Sequence, residues 1–220
     1  MEVAARAVRI PAGPVDLDAD LVPATRGRGT VVFAHGSGSG RQSPRNRQVA
    51  EALHRRGIGT LLLDLLSAPE AREDERTAEH RFNIPFLTER LLFATDWLRS
   101  QPEARESSLG LFGASTGGAV AMIAAAARPD QVSAIVLRGA RTDLGDSAAP
   151  DIRCPTLILV GGDDAPVHAW NLRTLSLLRC ARELVVVPGA SHLFEEPGAL
   201  EAVAERTVDW FGRFLAPRVR

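Results

Sequence analysis

One stretch limits what this chain can become more than any other: Leu109-Gly110-Leu111-Phe112-Gly113-Ala114-Ser115-Thr116-Gly117-Gly118. An apolar run suited to a buried strand enters G-x-S-x-G, and a helix-like run, Ala119 to Arg128, follows at once. In a strand–turn–helix context the serine of that pattern is a nucleophile. The turn forces unusual backbone at Ser115, so its neighbours must be small, as Gly113, Ala114, Gly117 and Gly118 are. Ser115 then stands at a helix N-terminus, where free N–H groups and the helix dipole favour negative charge. The pattern alone can arise by chance, so the rest of the chain must support it.

The remaining pattern alternates. Ala7-Val8-Arg9-Ile10 and Val15 to Val22 read as an opening hairpin bent at Pro11 to Pro14. Thr30 to Ala34 and Thr60 to Leu63 are continuous apolar runs, as expected of strands buried on both faces. Further strands are expected at Val132 to Leu137, Thr156 to Val160 and Leu184 to Val187. Helices are expected at Asn46 to Arg56, Pro85 to Leu98, around Val167 to Leu178, and at Leu200 to Phe214. Ala68 to Arg81 is crowded with charge and reads as a solvated excursion. The alternation predicts an α/β fold: a mainly parallel central sheet with helices on both faces. With 220 residues and 45% hydrophobic content, residues 1–220 read as a single domain.

Composition excludes several functions. The net charge of -1 gives no electrostatic case for nucleic acid. All 26 basic residues are arginine, so lysine Schiff bases and lysine-dependent phosphate loops are ruled out. Met1 to Pro14 lacks a signal-peptide core, and Ala119 to Ala127 is too short to span a bilayer. Cys154 and Cys180 have no metal-ligand spacing and read as free thiols. A cytoplasmic protein without membrane or nucleic-acid partners is the expectation.

In open α/β sheets ligands sit at the carboxyl ends of strands. Three such ends supply a serine, an acid and a histidine. Ser115 follows one strand, Asp163 and Asp164 another, and His192 a third. A serine hydroxyl needs a base, imidazole titrates near neutrality, and a carboxylate fixes the imidazole tautomer. Asp163 and Asp164 are adjacent and cannot both face His192, so one is free to cap the next helix. Asp143 and Asp146 are outside candidates. His54 and His80 read as solvated, and His35 as shaping a turn. The loop His35-Gly36-Ser37-Gly38 follows a buried strand and can aim the Ser37 amide, with that of Thr116, at a developing oxyanion. A dinucleotide loop is excluded because G-x-G-x-x-G puts glycine where Arg41 stands. Arg41, Arg45 and Arg141 border the expected cleft, and arginine suits an anionic substrate group.

On the segments HGSGSGRQSPRN, LLLDLL, GASTGG, LVGGDDAPV and PGASHLFEEPG, the chain resembles the α/β-hydrolase superfamily, and within it the dienelactone-hydrolase-like group. The resemblance covers almost the whole chain. It extends to hydrolase domains that occur fused to phosphoribosyltransferases, although no such partner domain lies in these 220 residues. It implies a Ser115–Asp164–His192 triad, an oxyanion hole at Ser37 and Thr116, and neither metal nor organic cofactor. It favours Asp164 because the family's acid stands shortly before a hydrophobic residue, as Asp164 does before Val167. Dienelactone hydrolase proper uses a cysteine nucleophile, and here the position is Ser115, so its lactone substrate does not carry over. Only Arg141 to Cys154 fills the place of a cap domain, which predicts no large cap and an open cleft shaded by Ala68 to Phe86. Expected is a serine hydrolase of small acyl esters, lactones or thioesters, monomeric or homodimeric. The alternatives are acyl transfer to an acceptor other than water, and a non-catalytic ligand-binding protein on the same fold.

Overall fold

A computed structural model describes residues 5–25, 27–105 and 107–215. Eight strands form one sheet in the order β1-β2-β4-β3-β5-β6-β7-β8. These are β1 (Arg6–Ala12), β2 (Val15–Val22), β3 (Thr30–Ala34), β4 (Gly59–Leu63), β5 (Leu109–Ala114), β6 (Val132–Arg138), β7 (Thr156–Gly161) and β8 (Arg182–Val187). β2 pairs antiparallel with β1 and β4, and every other pairing is parallel. The β1–β2 turn is the two residues Gly13-Pro14, with Gly13 at φ +71°. β3, β4, β5 and β7 are buried along their whole length, which is why they read as unbroken apolar runs.

Helices cover both faces. α1 (Pro44–Arg55) and α6 (Ala199–Phe214) pack on one, burying Val49, Leu53, Val203 and Phe211 against Phe33, Phe112 and Val136. α3 (Ile84–Ser100), α4 (Thr116–Ala127) and α5 (Ala165–Leu177) cover the other, where Leu91, Val120 and Val167 meet Val32, Leu111 and Ile158. Each such fully buried side chain stabilises by about 1.5–3 kcal/mol relative to exposure. The β6–β7 connection holds only two short 3-10 turns, Thr142–Leu144 and Asp146–Asp151, so no cap domain is inserted there. Among the described residues no helix is long and apolar enough to cross a membrane.

The segment Ala68 to Arg81 faces solvent, as expected, but it is regular rather than looped: it carries a ten-residue helix, α2 (Ala68–Thr77). Ser67 and Glu70 form a reciprocal capping box, and Pro69 sits in the first turn, where its missing N–H costs nothing. The C-terminal end is pinned by Asp74, which is 4% exposed. Asp74 accepts the backbone N–H groups of His80 and Arg81, at 2.7 and 2.9 Å, and Arg81 Nε at 2.8 Å. Burial alone would raise the Asp74 carboxyl. The Arg81 and His80 amides and the Arg81 guanidinium outweigh it and leave the pKa below 3.8. Two histidines expected in solvent are engaged as well. His80 stacks on Phe86 with ring centroids 5.2 Å apart, and His54 is half-buried with Nε2 2.7 Å from Thr60 Oγ1.

Candidate active site

The site begins at the turn between β5 and α4. Ser115 has φ +52° and ψ −122°, a backbone conformation that L residues rarely adopt. Three backbone bonds impose it. Ser115 N–H donates to Arg138 O at 3.1 Å, and Ser115 O accepts the N–H groups of Gly118 and Arg141, both at 2.9 Å. The turn also lies against β3: a Cβ on Gly117 would stand 2.2 Å from Ala34 O, and one on Gly113 would stand 2.5 Å from Gly117 O. Only glycine allows that approach.

The β8–α6 loop brings His192 over this turn. His192 Nε2 lies 3.2 Å from Ser115 Oγ, and Nδ1 lies 2.6 Å from Asp164 Oδ2. With Nδ1–H donating to the carboxylate, Nε2 is the free lone pair that accepts the serine O–H. The loop is anchored two residues on by Phe194, which is 1% exposed and held at φ +57°. A bulky residue at positive φ persists only where its surroundings fix it, and here the ring is enclosed by the core.

Asp164 occupies the N-cap position of α5, yet its side chain makes no cap bond, because the carboxylate turns to His192. Asp163 is exposed, and its backbone N–H holds Ala190 O at 3.0 Å. Asp143 binds Arg141, and Asp146 binds Thr174 and Arg173, so neither outside candidate reaches His192.

The β3–α1 loop supplies the opposite wall. It folds back through Ser39 N–H to Gly36 O at 3.2 Å, with Gly38 at φ +66°. His35 ties it to the segment after β4: Nδ1–H donates to Gly36 O at 2.9 Å, and Nε2 accepts Leu65 N–H at 3.0 Å. Burial pushes the His35 pKa below 6.5, outweighing Gly36 O and Asp64, which act to raise it. Neutral imidazole is the form that both bonds require. Among the described residues, the N–H groups of Ser37 and Thr116 have no acceptor within the protein. Ser37 and Thr116 both line a cleft of about 380 Å³ roofed by α2. Two other hollows, about 420 Å³ against α1 and about 650 Å³ beside the C-terminal end of α4, include none of these residues. Among the described residues no group of three or more His, Cys, Asp and Glu side chains is arranged to hold a metal ion.

The arginines expected to read an anion are already engaged. Arg41 Nη1 donates to Asp64 at 2.7 Å, with Asp20 3.6 Å from Nε. Arg45 pairs with Glu195 at 2.9 Å. Arg141 binds Asp143 through two bonds of 2.9 Å, and its guanidinium stacks over Trp170 at 4.7 Å. One arginine that sequence reasoning passed over is enclosed near the site. Arg138 ends β6, is 7% exposed, and leaves Nε and Nη1 without a partner among the described residues. Its guanidinium lies 6.0 Å from the Phe194 ring, beneath the loop that carries His192. Burial pushes its pKa down to about 10, and Arg45 adds to the shift.

Comparison with known proteins gives four matches. A family described as an alpha/beta hydrolase domain matches residues 27–209. A protein of Mycobacterium tuberculosis, provisionally named a phosphoribosyl transferase, is 47% identical over 204 residues, covering 93% of this chain and 45% of that protein. The chain thus spans about half the length of the curated relatives it matches in this way. The crystal structure of a dienelactone hydrolase from Anabaena variabilis superposes with a TM-score of 0.94 at 50% identity, covering 96% of this chain and 98% of that one. Est1E from Butyrivibrio proteoclasticus, solved with ferulic acid, shares the fold at 17% identity, with a TM-score of 0.81 over 94% of this chain and 99% of that one.

Proposed function

The chain belongs to the α/β-hydrolase domain family, and from that premise we propose that it hydrolyses small carboxylic esters and lactones, thioesters included, through an acyl-enzyme on Ser115. One observation carries the reading: His192 lies between Ser115 Oγ, at 3.2 Å, and Asp164 Oδ2, at 2.6 Å, so nucleophile, base and orienting acid form one chain of hydrogen bonds. The substrate carbonyl enters the cleft beside Ser37 and Thr116. Ser115 Oγ attacks the carbonyl carbon while His192 Nε2 takes its proton. The negative charge that develops on the carbonyl oxygen is held by the two free amides. A donor of this kind is worth roughly 10²–10³ in kcat. The C–O (or C–S) bond breaks, and the imidazolium returns its proton to the leaving alcohol or thiol. Asp164 stays ionised and stabilises that imidazolium. Water then attacks the acyl-enzyme, with His192 again as base, and the carboxylic acid is released. Lactone substrates stay tethered by their own leaving hydroxyl after the first step.

The experiment is turnover of a 4-nitrophenyl ester of a short acyl chain by the parent protein and by Ser115→Ala. Triad members act as a unit, so the variant is expected to lose at least about 10³-fold in kcat/KM. Retention within tenfold of the parent would overturn the serine mechanism.

A further inference from the structure

Among the described residues, the cleft beside the free amides is lined by one buried side-chain hydroxyl without a partner in the fold. Thr116 lines this cleft and is 2% exposed, and its Oγ1 has no hydrogen-bond partner among the described residues. Its place in the chain explains why. A threonine inside a helix usually returns its hydroxyl to the carbonyl four residues back. Thr116 is the first residue of α4, and the residue four back, Phe112, lies mid-sheet in β5 between β3 and β6. Thr142 and Thr207 also have unpartnered hydroxyls, but neither lines this cleft. A buried hydroxyl left without a partner is costly, so its persistence beside a ligand cavity points to a ligand atom.

The covalent geometry of threonine says which atom. Within one residue, N and Oγ1 are about 3 Å apart when they stand gauche across the Cα–Cβ bond. In a 2-hydroxyacyl group with the two oxygens on the same side, the carbonyl oxygen and the 2-oxygen are separated by a similar roughly 3 Å. A carbonyl held by Thr116 N–H therefore brings a 2-hydroxyl opposite Thr116 Oγ1. The rest of the cleft suits a short carbon chain, with Leu65, Leu66, Ala71 and Leu87 along it and Glu75 and Arg81 on the α2 side.

We propose that Thr116 Oγ1 hydrogen-bonds a hydroxyl on carbon 2 of the acyl group, making the protein selective for 2-hydroxyacyl esters over their unsubstituted counterparts. The proposal rests on the serine-hydrolase reading above and names the substrate class of that site. Selectivity follows because an unsubstituted acyl chain leaves Oγ1 buried and unpaired. A site built to bond a substrate hydroxyl rejects the analogue that lacks it more strongly than an apolar pocket distinguishes chain lengths.

The test compares phenyl lactate with phenyl propanoate, which share leaving group and chain length, on the parent, Thr116→Val and Thr116→Ser. The readout is the ratio of kcat/KM for the two esters, divided by their ratio in hydroxide-catalysed hydrolysis. The parent is expected to favour the lactate by about tenfold or more, Thr116→Val to bring the ratio near one, and Thr116→Ser to keep it. The comparison for Thr116→Val holds even if its absolute rates fall, since only the ratio is read. The proposal is overturned if the parent shows no preference. It is also overturned if Thr116→Val lowers both esters by one factor, which would make the hydroxyl a donor to the oxyanion or a support for the fold. If the parent turns over neither ester, the serine-hydrolase reading falls, and this assignment with it.

Discussion

The serine–histidine–aspartate side of the site and the roof of the cleft next to it are built on different physical principles. The side carrying Ser115, Asp164 and His192 is made of strand ends, and its geometry comes from backbone packed on backbone. Ser115 is fixed by bonds to Arg138, Gly118 and Arg141, and Gly117 lies against Ala34 with no room for a side chain. The roof, α2, buries little apolar surface, and among its ten residues only Asp74 is buried. It stays in place through the Ser67–Glu70 capping box, the Asp74–Arg81 pair and the bond from Arg90 to Glu70 at 2.9 Å. A constellation that must hold to fractions of an ångström sits on the rigid side. The element that roofs the cleft is held by a few polar contacts.

That contrast predicts a large effect on the rigid side. Asp164→Asn is expected to lower kcat by roughly 10⁴-fold, because an amide holds the imidazole in the wrong tautomer. Asp163→Asn, one residue away but exposed, is expected to change it by less than about threefold. Steady-state kinetics of both variants checks this, and equal losses would mean that the loop as a whole matters, rather than the carboxylate at His192.

A smaller effect is expected on the roof. Asp74→Ala removes the acceptor that gathers His80 and Arg81, so α2 should loosen and KM rise by several-fold with kcat less affected. A fall in kcat matching that of Asp164→Asn would erase the distinction between the two sides. The same group sets an acid limit. Its folded pKa lies below 3.8, so its contribution to stability is present above that value and is lost as pH falls through the folded pKa. Unfolding curves below pH 4 should therefore differ less between parent and Asp74→Ala than curves at pH 7.

How far the sequence could be read follows the same division. β3, β4, β5 and β7 were legible because a strand buried on both faces must be an unbroken apolar run. The Ser115 turn was legible because only small residues fit around it. α4 begins at Thr116, three residues before the run that reads as helical, because Gly117 and Gly118 are poor helix formers retained for close packing. α2 was hidden by its charges, although Ser67-Ala68-Pro69-Glu70 carries the capping-box signal. The partners of Arg41 could not be read, since Asp64 and Asp20 stand more than twenty positions from it and are brought to it by the sheet. Arg138 was passed over because the strand reads as ending at Leu137. One residue more, strand alternation puts Arg138 on the face of Ala134 and Val136, which is buried.

The central claim is that Ser115 is activated by His192. Incubation with a fluorophosphonate probe, followed by peptide mapping, tests it most directly. The account predicts a single adduct, on Ser115, whose rate of formation falls by orders of magnitude in His192→Ala. An unlabelled Ser115, or labelling that His192→Ala leaves as fast as before, would contradict it.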